Sequence, residues 1–257
     1  MANLDIKIKL ANTIATALLL GSPFGPFSTL IFNWKGSLHA ISELVYILLE
    51  LLLLGLTIYQ WLPSAPKDVL DGIGYWYLLI ALLNFGVETF LGYDFHIIAY
   101  IGLLWQLATA AFIYHRLRNF PPRNKTDQAF INAPFSILLA LLFANLFYRF
   151  FKLFDQTRDN DIVHTIIIIA IGFVALHLVD YSHRKDWIYA STTAWILGFN
   201  ASLISGTSHT VSLVVVGILI SAVARTLIPN WLESINRRFG RWSRKLFARG
   251  ERTPLLS

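Results

Sequence analysis

The sequence predicts an all-α fold: a polytopic transmembrane helical bundle of about eight spans with both termini in the cytosol. Three observations carry that expectation. Of the 257 residues, 56% are hydrophobic and only 14% are charged, and the mean hydropathy is +0.57, far more apolar than a soluble domain of this size. Apolar runs of about 20 residues, the length that crosses the hydrocarbon layer, recur along nearly the whole chain. Basic residues collect in alternate connections. One bundle uses up the chain, which excludes a separate soluble catalytic domain on a membrane anchor.

In chain order, the expected spans are 10–33, 38–61, 73–93, 95–114, 129–151, 162–182, 187–205 and 210–229. The first follows Lys7 and Lys9 and continues through Ser22-Pro23-Phe24-Gly25-Pro26 into more apolar sequence, which reads as an uncleaved span rather than a removed signal peptide. Its Gly and Pro residues mark a kink or re-entrant turn. The second ends at Trp61 and the third opens on Tyr75-Trp76-Tyr77, aromatic side chains suited to the headgroup level. Lys35-Gly36, Asp94 and the segments 63–71, 115–127, 152–161, 183–186 and 206–209 supply the polar turns between spans.

Orientation follows from charge. Lys7, Lys9, Lys67, Arg116, Arg118, Arg123, Lys125, Arg184, Lys185, Arg225 and the seven basic residues of the tail fall on one side, which is 17 of the 21 lysines and arginines. Lys35, Arg149, Lys152 and Arg158 fall on the other. The positive-inside rule puts the richer side in the cytosol. The acceptor triplet at Asn124 then lies in a cytosolic loop and stays unmodified.

An ionisable side chain at a helix centre costs about 2.5–3.5 kcal/mol to insert, so each one needs a reason. Glu43 and Glu50 share one face of the second span, and Asn84 and Glu88 share one face of the third. Asn132 and Asn145 lie on the fifth, His164, His177 and Asp180 on the sixth, and Asn200 on the seventh. Two readings stand: Glu43, Glu50, Asn84, Glu88, Asn132 and Asn145 line one internal ligand-binding cavity, or they make interhelical hydrogen bonds worth about 1 kcal/mol with no chemistry attached.

Enzyme signatures are missing: no His-Glu-x-x-His pair, no Gly-x-Ser-x-Gly elbow and no P-loop. The chain has no cysteine, which excludes disulfides, thiolate metal sites and cysteine nucleophiles. His177, Asp180 and His183 recur on one helix side, but without a further ligand they make a weak metal signal, and no metal site is expected. The net charge of +6 sits in short loops beside apolar spans, which fits a membrane surface rather than nucleic acid.

Ile73-Gly74-Tyr75-Trp76-Tyr77-Leu78-Leu79 with Leu83-Asn84, Pro134-Phe135-Ser136 opening the fifth span, and the segment 190–201 with Trp195 and Gly198 together resemble multi-pass membrane proteins, fungal ones foremost, related to the tryptophan-rich sensory (TspO-like) group. The resemblance runs over some 200 residues. It implies a helical bundle that binds porphyrins or sterols between its helices. In that group the bundle has five helices, and Leu139-Ala140 and Leu142-Phe143 stand here where it would carry tryptophan.

These observations point to a non-enzymatic receptor or carrier for a small apolar or amphipathic ligand. The alternatives are an ion- or proton-coupled transporter using the same carboxylates, a structural or trafficking component, and, behind these, an intramembrane lipid enzyme using His177 and Asp180. Three segments are expected: the bundle at 1–229, an interfacial amphipathic helix at 230–249, and a disordered tail at 250–257. In the second, Trp231, Ile235, Phe239, Trp242 and Leu246 alternate with Arg237, Arg238, Arg241, Arg244 and Lys245, so it should lie on anionic lipid headgroups. The tail, with Glu251 four residues before Leu255-Leu256, resembles the acidic dileucine signals that clathrin-adaptor complexes read, implying a vacuolar or lysosomal membrane.

Overall fold

The computed structural model describes residues 2–21, 39–63, 65, 72–120, 122–153, 161–181 and 185–250, with side chains described from 5 to 229 apart from 39–43, 151–152 and 181. Among them there are only helices and turns. Eight principal helices follow in order: α1 Ala2–Leu20, α2 His39–Tyr59, α3 Trp76–Gly92, α4 His96–Arg118, α5 Ala133–Leu153, α6 Asp161–Leu176, α7 Trp187–Ala201 and α8 Thr207–Gly250. By length and composition four stretches can cross a bilayer: His96–Arg118, Lys125–Phe150, Asp161–Asp180 and Thr207–Pro229. Leu44–Tyr59 and Trp76–Gly92 are shorter apolar helices.

Helix α5 is the axis of the bundle. Every residue from 133 to 142 is buried, and an apolar helix covered on all sides belongs in the interior. It packs against α2, α4 and α7, while α3 packs on α4 and α8 closes against α6 and α7. The outer helices keep apolar side chains exposed at helical spacing: Ile162, Ile166, Ile169 and Phe173 on α6, and Ile97, Ile101, Leu104 and Trp105 on α4. In water such stripes would be a liability; against acyl chains they are the ordinary outer surface.

Local chemistry sets the joints. Asp94 adopts φ 60° and the Phe95 N–H reaches back to the Phe90 carbonyl at 2.8 Å, a Schellman-type stop that turns α3 sharply into α4. Asp161 at the start of α6 accepts the backbone N–H groups of Thr207 and Ser208 at 3.0 and 2.9 Å. It thereby caps α8 from a neighbouring helix. Beside it Gly206 sits at φ 81°. Ahead of α5, a turn at Lys125–Asp127 widens into a π-helical turn at Gln128–Asn132, where the Ala133 N–H bonds the Gln128 carbonyl. Pro134 lacks the N–H that would serve the Phe130 carbonyl, and the wide turn just before it takes up that mismatch. A second π-helical turn, His177–Tyr181, ends α6.

The helix ends differ from the expected spans most at α1, which stops at Leu20 where the first span was expected to run to 33, and at α8. Helix α1 begins at Ala2, eight residues before the expected 10, because Asp5 in its first turn and the Asp5–Lys9 pair at 3.6 Å extend it through polar residues. Helix α8 continues in one piece through Pro229 to Gly250. The side chains of 230–249 and all of 250–257, with Glu251, Leu255 and Leu256, lie outside the described residues.

Candidate functional site

Among the described residues, polar side chains of the bundle gather at several places, three of which involve α2, α3 or α5. The first joins α2, α3 and α5. Arg149 on α5 pairs with Glu88 on α3 at 3.4 Å, both side chains about a quarter exposed. One turn earlier on α5, Asn145 Nδ2 donates to the Tyr46 hydroxyl of α2 at 3.2 Å, and Glu88 and Arg149 are within electrostatic reach of that hydroxyl. Glu50 follows Tyr46 by one turn and is buried. On α3, Asn84 accepts a hydrogen bond from Gln106 of α4 at 3.1 Å, which ties those two helices one turn away from Glu88.

Four of the six expected ligand-binding residues, Glu50, Asn84, Glu88 and Asn145, thus lie on the facing helices α2, α3 and α5. The Glu43 side chain lies outside the described residues. Asn132 is elsewhere: it precedes Asn145 by thirteen residues on the same helical run, about 20 Å along the axis. By sequence, Arg149 counts among the basic residues of the non-cytosolic side and is not paired with Glu88. Its spacing of four from Asn145 on an apolar helix was the available signal.

The second place is the opposite end of α5. Asp186 Oδ2 accepts the Tyr114 and Ser136 hydroxyls, each at 2.7 Å, and Oδ1 caps α7 by accepting the Tyr189 N–H at 2.9 Å. Beside it a cavity of about 250 Å³ is lined by Arg118, Gln128, Asn132, Lys185 and Trp187 among others. Nearby, buried Asp127 accepts the Tyr59 hydroxyl at 2.6 Å and the Arg123 N–H at 3.1 Å. None of these carboxylates stood out in sequence, because a carboxylate in a short connection reads as solvated.

The third is a network between α1, α2 and α3. Thr16 meets the Thr57 hydroxyl at 2.6 Å and the Tyr77 hydroxyl at 3.0 Å, and Asn12 Nδ2 donates to Gln60 Oε1 at 3.1 Å. Asn12, Gln60 and Tyr77 have no measurable exposure, so this is an interior lock that fixes α1 on the bundle rather than a surface for ligand.

A wider cavity touches none of these. About 590 Å³ opens between α7 and α8, walled by Ala194, Trp195, Gly198, Phe199, Ile220 and Val223. Small residues on α7 create the space. A Cβ added to Gly198 would meet nothing closer than Val216 at 3.9 Å. At one end Arg225, next to the lining residue Ala224, bonds Asp180 at 2.6 Å. His183 lies outside the described residues, and Asp180 serves as the partner of Arg225.

Neither the curated proteins nor the solved structures yield a match to the chain. A family model described as TSPO-like protein matches residues 35–228, up to the end of the apolar part of α8; α1, which the Asn12 and Thr16 network fixes to the bundle, lies outside the match. With well over half of its length inside that match, and with four helices there long and apolar enough to cross a membrane, the chain is an integral membrane protein that belongs to the TSPO-like family.

Proposed function

We propose that the protein is a non-enzymatic receptor or carrier for a small apolar or amphipathic ligand, held in the groove between α7 and α8. The observation that carries this reading is the 590 Å³ cavity with its apolar wall. Its size falls in the range of about 300–1,000 Å³ typical of small-molecule sites, and its lining of aliphatic residues, one indole and few polar groups matches their chemistry. The bundle crosses eight times with both ends in the cytosol, so the ligand enters from the bilayer or the headgroup level. The dileucine-like tail addresses the protein to a vacuolar or lysosomal membrane through an adaptor complex, and segment 230–249 lies on anionic lipid.

The test uses the full chain in phosphatidylcholine nanodiscs with a porphyrin and a sterol as probes. Gly198→Leu fills the groove where Gly198 leaves it open, and it should abolish probe binding while helical content and thermal stability stay close to wild type. Undiminished binding of both probes by this variant would sink the reading.

A second reading, proton-coupled transport, is favoured by the Glu88–Arg149 pair with Tyr46 and Asn145, since charges in a bundle mark ion pathways. Its test is proton uptake by proteoliposomes. Uptake lost in Glu88→Gln would favour transport over passive binding, and uptake no faster than in empty liposomes would remove it.

A further inference from the structure

The 250 Å³ cavity beside Asp186 is smaller than a drug-sized site and its chemistry differs from that of the α7–α8 groove. Two cations, Arg118 from the last turn of α4 and Lys185 from the connection before α7, line the cavity together with one carboxylate, Asp186. That carboxylate is already occupied: two hydroxyls and a backbone N–H bond it. The Arg118 guanidinium stacks over the Tyr114 ring, 5.8 Å from its centroid, so the cation and the carboxylate are fixed on opposite parts of the same tyrosine. Gln128 and Asn132 add amide N–H donors from the π-helical turn, whose i→i+5 bonding keeps residues four apart near one face. The second π-helical turn is tied to the pocket through Asp186, whose N–H bonds the Leu178 carbonyl at 3.0 Å. Irregular turns of this kind are frequent at functional sites. Here the first of them supplies two of the pocket's lining residues.

We propose that this pocket binds a phosphate group, with Arg118 and Lys185 as the cations and Gln128 and Asn132 as neutral donors. A positive excess with planar and point-charge donors suits a phosphate, and a site too small for a whole ligand suits a head. The pocket is built from the end of α4, the start of α5 and the start of α7, so it lies at headgroup depth, at the end of the bundle that the charge count assigns to the cytosol. Basic pockets between transmembrane helices on that side take anionic lipid headgroups. A soluble phosphate compound offers the same chemistry.

The experiment is native mass spectrometry of the delipidated full chain titrated in separate arms with phosphatidic acid, phosphatidylcholine and glycerol 3-phosphate. Wild type, Lys185→Gln and Gln128→Glu are compared. The basic tail is common to all three, so differences among them report the pocket. Removing one cation should weaken binding about fivefold, and a carboxylate at Gln128 should weaken it further. If these losses appear with phosphatidic acid and not with phosphatidylcholine, the pocket reads a lipid phosphate. If they appear with glycerol 3-phosphate alone, it reads a soluble one. Lys185 is exposed in a connection, so its variant keeps the fold even where Gln128→Glu does not. Wild-type binding of every probe by Lys185→Gln would overturn the proposal.

Discussion

The ion pair between Glu88 and Arg149 sets a quantitative test of how the first polar cluster is held. With the two charges 3.4 Å apart and each side chain about a quarter exposed, the pair is neither a surface contact worth under about 1 kcal/mol nor a fully dry pair whose breakage costs about 3–5 kcal/mol. Glu88→Gln leaves the guanidinium facing Tyr46 and Asn145, which offer it no charge. Arg149→Met leaves the carboxylate in the same setting. Each single change should cost about 2 kcal/mol, between those limits. The double variant removes both charges together and should cost little more than either single, leaving a coupling of about 1–2 kcal/mol in the cycle. Reversible unfolding in mixed micelles, followed by far-UV circular dichroism, measures all four corners. Single losses that add in the double variant to within about 0.5 kcal/mol would refute a working ion pair at this position.

Two further outcomes follow from named contacts and a third from the proposed tail signal. A Cβ at Gly172 would run into the Val215 side chain of α8, so Gly172→Leu should lower the thermal midpoint, with an overpacking cost of about 1–3 kcal/mol, while Gly86→Leu, where nothing is near, should not. Gln60→Leu strips the partner from Asn12 Nδ2 and a donor from the Lys9 carbonyl; stranded buried polar groups cost about 1–3 kcal/mol, and limited proteolysis should show α1 released before the rest of the bundle. Replacing Leu255 and Leu256 by alanine should divert a fluorescent fusion from the vacuolar or lysosomal membrane without changing its yield, and an unchanged location removes the tail as an address.

The sequence made the apolar runs legible because a span needs only length and hydropathy, and a principal helix overlaps each of the eight expected segments. It did not show where helices end. The first turn of α1 is polar, and its helix rests on Asp5 and Lys9 rather than on hydropathy. The π-helical turns were invisible for a related reason: they depend on the donor that Pro134 lacks and on how α5 must reach its neighbours, not on any residue pattern. Among site residues, carboxylates and amides inside spans were legible as costly. Their partners were not, since Tyr46, Gln106 and Arg149 come from other helices or from a turn away. Asp186 was missed because only the packing of α4, α5 and α7 brings Tyr114 and Ser136 to it.

What separates binding from transport in this bundle is the middle of α5. The cluster at Glu88 and Arg149 sits near one end of that helix, and the pocket at Asn132 and Asp186 near the other. Between them lie the residues 133–142, all buried, and of their side chains only Ser136 carries a polar group, held by Asp186 at the pocket end. A proton or ion passing from one end to the other needs waters or polar side chains to hand it on, and a closely packed apolar segment supplies neither. A transport cycle would therefore have to separate α5 from α2, α4 and α7 along most of its length. Ligand capture from the bilayer asks for no such rearrangement, because the α7–α8 groove is walled by two outer helices and lies off that core. On the proposed reading the two polar ends act apart from it, one as a structural ion pair and the other as a small pocket for a phosphate group.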